Sequence, residues 1–279
     1  MNTEIIEIIG PPGVGKTTLY DALTKAWSPS CTWTYQEALL TPVPAIAEFS
    51  SWVEYRLKRI LKKKLSTSVA SDLGFRFIHL HPELANFCLE HLSGEAREAN
   101  ILAMRFRSLS LLYTDFCRYQ AIDERVSDKP CIVNEGLLQK SFLNRSDLSV
   151  MSDLVNQYLA FVPKPEAVLY INTDKELIVD RLVKRRKLIA THSGKSQQEL
   201  LMDIANWQTQ LGIITAWMAD HHVKVYTLDG ALSIHENVNA VLNILESHTG
   251  HLPFPVDTAA MANIEPLAQV PGKPSTQLH

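Results

Sequence analysis

The fold of this chain is decided by residues 5–17, which read IIEIIGPPGVGKT. The run Ile5–Ile9 is short, apolar and rich in β-branched residues, and it stops at Gly10. Such a run predicts a buried β-strand. After the glycine-rich turn, residues 17–26 place apolar side chains on one helical face, which predicts a helix. The turn is therefore expected to connect a strand to a helix.

The turn has the spacing G-x-x-x-x-G-K-[ST], which is typical of a phosphate-binding loop. Glycines let the backbone wrap closely around an anion, and the amide N–H groups then point inward. The following helix adds the positive end of its dipole. Lys16 can reach the β- and γ-phosphates, and the Thr17 hydroxyl can bind Mg²⁺. The predicted nucleotide-binding residues are Gly10, Pro11, Pro12, Gly13, Val14, Gly15, Lys16, Thr17 and Thr18.

The composition is that of a soluble globular protein, with 279 residues of which 46% are hydrophobic and 20% charged. The formal net charge of −3 argues against a general nucleic-acid binder. No apolar run reaches the ~18 residues that a membrane-spanning helix needs. The N-terminus lacks the pattern of a signal peptide, and the four cysteines lack metal-binding spacing. We therefore expect a cytoplasmic protein with no membrane span and with reduced thiols.

Four further strand patterns follow, near residues 32–35, 131–134, 167–171 and 223–228, and helical patterns separate them. Strands that alternate with helices predict a parallel sheet covered by helices on both faces. The predicted fold class is therefore α/β, with three α/β/α layers around a five-stranded parallel sheet. We expect one domain over residues 1–250.

About 95 residues separate the second and third strand patterns, and we expect a helical insert over about 40–125 that covers the acceptor. Within it, residues 56–64 are strongly basic. Three interpretations of this segment stay open: a solvated helix face, a site for an anionic or polymeric acceptor, or a membrane-surface helix. Residues 251–279 are rich in proline and lack a sustained period, which predicts a flexible tail.

The segment from Gly10 to Thr17 is a Walker A motif, and the chain resembles the P-loop nucleoside-triphosphate enzymes. The Asn-Lys-x-Asp motif of GTPases is missing from the sequence, and the chain length with a single P-loop suits a small-molecule kinase. Three further segments resemble the thymidylate kinase and deoxynucleoside kinase branch. This resemblance implies the strand order 2-3-1-4-5, ATP as the phosphate donor and Mg²⁺ as the metal.

The first of these segments carries Arg181 and Arg185 on the helix after the fourth strand. In the branch, a helix with the pattern R-x-x-x-R enters a mobile lid over the phosphates, which corresponds to about 185–200 here. The resemblance implies that both arginines stabilise the charge on the transferred phosphoryl group. A solvated basic helix face is the alternative.

The second segment is Asp229-Gly230, which resembles the loop that lies against adenine, although the same residues are common in ordinary loops. The third segment carries Glu37 at the end of the second strand. A Glu at this place in deoxynucleoside kinases takes the proton from the acceptor hydroxyl. A carboxylate at the carboxyl edge of a parallel sheet faces the ligand crevice, so Glu37 is the candidate base. A surface-loop carboxylate is the alternative.

The third strand ends in Asn134-Glu135-Gly136. A carboxylate here lies beside the P-loop strand and can bind Mg²⁺ directly or through water, so Thr17 and Glu135 are the predicted metal ligands. The branch usually has an arginine directly after this acid, where this chain has Gly136. That arginine helps to hold substrate and phosphates, so its absence argues against an ordinary nucleoside substrate. Gln139 and Lys140 are candidates to replace it.

The leading prediction is an ATP- and Mg²⁺-dependent phosphotransferase that moves the γ-phosphate to a nucleoside or nucleotide-like acceptor. Its predicted catalytic residues are Lys16, Glu37, Glu135, Arg181 and Arg185. Two alternatives stay open: a kinase for a sugar, a glycan end or an antibiotic, and a nucleotide-dependent switch ATPase. Association into a homodimer is also left open.

Overall fold

A computed structural model of the chain describes residues 4–41, 49–60, 69–93, 99–125, 127–184 and 194–249. One sheet contains five strands in the order β2-β3-β1-β4-β5, and the pairs are parallel. This result confirms both the predicted class and the predicted strand order. The strands are β1 (Ile5–Ile9), β2 (Thr34–Tyr35), β3 (Cys131–Asn134), β4 (Ala167–Asn172) and β5 (Lys224–Asp229).

Helices cover both faces of the sheet. Because successive residues of a strand point to opposite faces, each strand packs against the helices on both sides. In β1, Ile6 and Ile8 pack into one apolar layer, whereas Ile5 and Ile9 pack into the other. The helices are α1 (Lys16–Ala26), α2 (Gln36–Leu40), α3 (Phe49–Ile60), α4 (Asp72–Leu80), α5 (Pro82–Ser93), α6 (Ala99–Asp123), α7 (Leu148–Phe161), α8 (Lys175–Lys184), α9 (Gln197–Asp220) and α10 (Ile234–Thr249).

The described residues between β2 and β3 are mainly helical, as the sequence predicts. After the short α2 the segment contains α3, α4, α5 and α6. Phe77 of α4 is buried, and its ring stacks on the Phe116 ring of α6 at a centroid distance of 4.6 Å. This contact joins the insert to the apolar layer that covers one face of the sheet.

Several predictions fall on parts of the chain that the structure leaves undescribed. Residues 251–279 lie outside the described ranges, so the tail and the domain boundary near 250 stay predictions. Arg185, most of the predicted lid and residues 61–64 of the basic segment lie outside as well. Across the described ranges, every helix is too short or too polar to cross a bilayer.

Candidate active site

The loop between β1 and α1 has the backbone geometry of an anion-binding turn. Gly13 and Gly15 have φ values of 91° and 116°, in the left-handed region that glycine tolerates without strain. Gly15 is also the N-cap of α1, and it provides no side-chain cap. The amides of the first helical turn are therefore left to bind an anion at the positive end of the helix dipole.

Lys16 lies inside the curve of this loop, with a side chain only 4% exposed. Its Nζ donates hydrogen bonds to the carbonyl oxygens of Gly10 at 2.5 Å and Pro11 at 3.0 Å. The same atom lies 3.0 Å from Glu135 Oε1. A buried ammonium needs such partners to stay charged, so the loop presents a held positive charge at the end of β1.

The segment 135–140, named here the β3 turn, meets the P-loop at two points. Glu135 is a non-glycine residue with a φ of 56°, a sparsely populated conformation, and its half-exposed carboxylate reaches Lys16. Further along, Gln139 Oε1 accepts a hydrogen bond of 3.0 Å from the Gly10 N–H. Lys140, by contrast, is buried and paired with Asp115 of α6. Of the two residues proposed to replace the missing arginine, Gln139 is therefore the one that contacts the P-loop.

The oxygen atoms beside Lys16 fit a magnesium ion. Thr17 is exposed at the start of α1 and follows Lys16 directly, and the half-exposed Glu135 carboxylate lies 3.0 Å from Lys16 Nζ. Hydroxyl and carboxylate oxygens are the ligands that Mg²⁺ prefers, and this ion usually keeps waters and binds substrate phosphates. Within the described ranges there is no cluster of three His, Cys, Asp or Glu side chains for a metal. The two predicted ligands thus suit an ion that arrives with a nucleotide.

A cavity of about 400 Å³ lies on the other side of the P-loop. Arg181 of α8 lies at its edge and donates hydrogen bonds to Gly230 O at 2.8 Å and to Val14 O at 3.3 Å. The residues that line the cavity come from the P-loop, α8 and the segment after β5, and they include Gly13, Val14, Gly15, Thr18, Arg181, Lys184, Gly230, Leu232 and Asn237. Arg181 therefore lies on this side of the loop, against its backbone.

The segment 229–233, named here the β5 loop, has a buried neutral anchor and an exposed charged contact, in which the Asp229 carboxylate accepts from the Ala231 N–H at 2.8 Å. Asn237 is 5% exposed, and its Nδ2 donates to the carbonyl oxygens of Asp229 at 2.9 Å and of Leu232 and Ser233 at 3.4 Å. The Gly230 N–H donates to Asn172 O at 2.7 Å. The predicted pair is divided, because Gly230 lines the cavity beside the P-loop whereas Asp229 lines another cavity of about 600 Å³.

Glu37 lies in the first turn of α2, directly after β2. Its Oε2 accepts a hydrogen bond from the Tyr20 hydroxyl, and Tyr20 lies on α1 one turn after Lys16. Burial and the neighbouring Glu37 raise the pKa of Tyr20 far above its usual value, so the phenol stays protonated and remains the donor. The carboxylate is thereby held beside α1, and its role as a base stays a prediction.

Glu7 is a residue of the site whose role sequence reasoning missed. It occupies the middle of β1 with 1% exposure, and it accepts hydrogen bonds from the N–H groups of Leu137 at 3.1 Å and Leu138 at 2.9 Å. Burial raises the pKa of Glu7 to about 7, although the positive charge of Lys140 opposes this effect. The available signal was a single charged residue in an otherwise apolar strand.

The basic segment is described only over its first residues. The Arg56 guanidinium lies over the Trp52 ring, 5.0 Å from its centroid. Such a contact occurs on many solvated helices, so it leaves the three interpretations of the segment open. The predicted acceptor site and the homodimer stay predictions.

No family model and no curated protein matches this sequence. Among solved structures, a sulfotransferase from Mycobacterium tuberculosis H37Rv is similar over 95% of this chain and 72% of its own, with 14% identity and a TM-score of 0.45. A deoxyadenosine kinase from M. mycoides with bound dATP covers 88% and 100% of the two chains, with 14% identity and a TM-score of 0.37. A shikimate kinase from Bacteroides thetaiotaomicron covers 88% and 97%, with 11% identity and a TM-score of 0.35.

These similarities are distant, so the fold assignment rests on the chain's own geometry. A parallel sheet in the order 2-3-1-4-5 carries a glycine-rich loop between its central strand and α1. The chain has a P-loop kinase-like α/β fold.

Proposed function

We propose that this protein is an ATP- and Mg²⁺-dependent kinase that transfers the γ-phosphate to a small-molecule acceptor. The proposal rests on the enclosed Lys16, whose ammonium group is held between P-loop carbonyls and Glu135 at the start of α1. A fixed cation beside uncapped helix amides is suited to the phosphate chain of a nucleotide.

The cavity beside Arg181 supports a direction for the nucleotide. Its volume of about 400 Å³ lies within the usual range of small-molecule pockets. The flat guanidinium of Arg181 and the peptide groups around Gly230 suit the faces of a planar base. With the base there, the phosphates run along the P-loop, and the γ-phosphate lies toward the β3 turn.

Phosphoryl transfer depends mainly on positioning and on charge stabilisation. Lys16 would hold the β- and γ-phosphates, and Thr17 and Glu135 would hold Mg²⁺, which would supply positive charge to the phosphates. Glu37 orients the acceptor hydroxyl and takes its proton. A bond then forms between the acceptor oxygen and the γ-phosphorus, and the bond from that phosphorus to ADP breaks.

A nucleoside or nucleotide-like molecule is the first acceptor to consider, on the resemblance of the motifs. One observation favours a sugar, a glycan end or an antibiotic as the second candidate. A Cβ at Gly136 would lie 2.7 Å from Glu7 Oε2, so the arginine of the nucleoside kinase pattern cannot stand there unless Glu7 moves. The acceptor side of this site is therefore built without that arginine.

Two measurements test the proposal. Calorimetry with Mg·ATP should show binding, and the absence of any heat of binding would contradict the assignment. ATP labelled in its γ-phosphate should then be incubated with panels of nucleosides, nucleotides and sugars, and label should move to one class. Slow hydrolysis that no acceptor changes would instead favour a nucleotide-dependent switch.

A further inference from the structure

The central strand carries a charged residue where an apolar one would cost less. Ile5 and Ile9 lie on the same face of β1 as Glu7 and pack into the apolar layer there. A buried carboxylate is costly unless hydrogen bonds compensate it. Glu7 is compensated by two backbone N–H groups, those of Leu137 and Leu138, which lie 130 residues or more along the chain. The Glu7 carboxylate therefore stabilises the β3 turn by accepting both of these hydrogen bonds.

We infer that Glu7 is a positioning residue, whose buried carboxylate holds the β3 turn in the conformation that brings Glu135 to Lys16 and Gln139 to Gly10. This role rests on the proposed function of the P-loop. Among the described contacts, the Glu7 carboxylate binds the β3 turn and no P-loop side chain, so it acts through the turn.

The turn passes directly over the carboxylate. A Cβ at Gly136 would lie 2.7 Å from Glu7 Oε2 and 2.8 Å from its carboxyl carbon. These distances are too short for a Cβ contact, so either the turn or the Glu7 side chain would have to shift. Leu137 is also held from its carbonyl side, because Tyr158 donates a hydrogen bond of 2.6 Å to its oxygen. The absence of a side chain at Gly136 therefore leaves the space that the Glu7 carboxylate occupies.

Anchoring the middle of the β3 turn also positions the residues at its two ends, which contact the P-loop. Immediately before Gly136, Glu135 adopts its left-handed conformation and donates its N–H to Ile8 O of β1 at 3.2 Å. An isolated residue leaves this conformation easily, so it persists only where the surroundings impose it. Immediately after Leu138, Gln139 accepts from the first P-loop amide. Anchoring Leu137 and Leu138 fixes both neighbours.

The first test needs no nucleotide. In Glu7→Gln, one amide oxygen remains to accept a hydrogen bond, and the new NH₂ group faces a backbone donor. Hydrogen exchange of the free protein should become at least tenfold faster in residues 135–140 and faster in residues 10–16. The control is Ile6→Ala, which opens a cavity in the other face of the same strand. Exchange in 135–140 that is no faster than in the control would overturn the inference.

The second test asks whether Glu7 acts through Glu135. The Kd for Mg·ATP should weaken by about 10–100-fold in Glu7→Gln, as for other residues that orient a ligating group. In a Glu135→Gln background, the same substitution should cost much less, because the group it positions is already changed. Equal losses in both backgrounds would contradict positioning and indicate a general loss of structure.

A second variant guards against misfolding of the first. Gly136→Ala pushes on the same turn and leaves Glu7 in place, so it should also speed exchange in residues 135–140, and combining it with Glu7→Gln should add less than the sum of the two single effects. If wild-type protein binds no Mg·ATP while the exchange results hold, the proposed function fails and the positioning role stands. If wild-type protein binds Mg·ATP and Glu7→Gln exchanges like the control, the positioning role fails alone.

Discussion

The two segments that flank the P-loop are held in different ways. The β3 turn is tied by charged groups, with Glu7 beneath it, Glu135 on Lys16 and Lys140 on Asp115. In the β5 loop, the buried anchor is neutral, because the Asn237 amide donates to backbone carbonyls, whereas the carboxylates of Asp229 and Glu236 accept from N–H groups at the exposed surface. Charged hydrogen bonds are stronger and more directional than neutral ones.

This difference matches what each side of the loop is proposed to contact. Phosphate carries negative charge, and charge grows or moves there during transfer, so fixed charges and their positions matter. A nucleobase is neutral and flat, so a cavity of defined shape suffices. The comparison predicts that substitutions in the β3 turn act on phosphate and Mg²⁺ binding and on the transfer rate, whereas substitutions in the β5 loop act on stability and on the affinity for the nucleoside.

The largest effect is expected for Lys16→Ala. Removing one charge-stabilising donor from a transition state typically costs about 3–4 kcal/mol, or several hundredfold in rate. Transfer of labelled phosphate should therefore almost disappear. Lys25→Ala is the matched control, because Lys25 lies exposed in the last turn of the same helix. Transfer at the wild-type rate by Lys16→Ala would refute the phosphate role of the loop.

The second prediction concerns the stability cost of the charged anchor. The pKa of Glu7 is raised to about 7, so the folded protein binds its proton more tightly than the unfolded chain does. The stabilisation is complete below the ordinary carboxyl pKa near 4.5 and is lost as the pH rises through 7. Between those limits, the free energy of unfolding of wild type should fall by about 3 kcal/mol relative to Glu7→Gln.

Chemical denaturation at several pH values measures this difference. Glu4→Gln serves as the control, because Glu4 is exposed next to the start of the same strand. A wild-type curve parallel to that of Glu7→Gln across this pH range would mean that the carboxylate is solvated, and the contrast between the two flanking segments would weaken.

The third prediction tests the neutral anchor. Asn237→Leu removes the amide that donates part-buried hydrogen bonds to Asp229 O and Leu232 O, and each such bond contributes about 1 kcal/mol. We expect a loss of stability near 2 kcal/mol and a weaker Kd for ATP, with the rate of transfer at saturating ATP unchanged. Asn239→Leu is the control, because it makes the same substitution two residues later on α10, where the side chain is partly exposed. A loss confined to the maximal rate would contradict the division.

The strands and the P-loop were predictable because their signals are local, whereas the strand order followed from the resemblance to the kinase branch. Five apolar segments, a glycine-rich spacing and a following helix all lie within short windows of sequence. Helix α7 also has a local signal, since Asp147 caps it by accepting from the N–H groups of Ser149 and Val150.

The holding contacts of the site were not predictable in this way. Glu7 meets its partners across more than a hundred residues, and Lys140 meets Asp115 of α6 across 25 residues. Such pairs depend on which strands become neighbours, so a single sequence gives no spacing to read. Arg181 illustrates the same limit, because no spacing indicates that its guanidinium donates to Val14 O and Gly230 O, and its contact with the phosphates stays a prediction.

The smallest effect is expected for Arg181→Ala, and it separates the two roles proposed for that residue. If Arg181 supports the nucleoside cavity, losing its partly buried hydrogen bonds should weaken the Kd for ATP and for ADP equally, by about tenfold, or 1.4 kcal/mol. If it acts on the γ-phosphate, as the motif predicts, the Kd for ADP should stay unchanged while transfer slows. Arg76→Ala is the control, because Arg76 forms only exposed ion pairs in the contacts described, with Asp72 and Glu124. Such pairs contribute little, so its nucleotide affinities should equal those of wild type. If the ADP affinity is unchanged in Arg181→Ala, this arginine acts on the γ-phosphate and not on the nucleoside cavity.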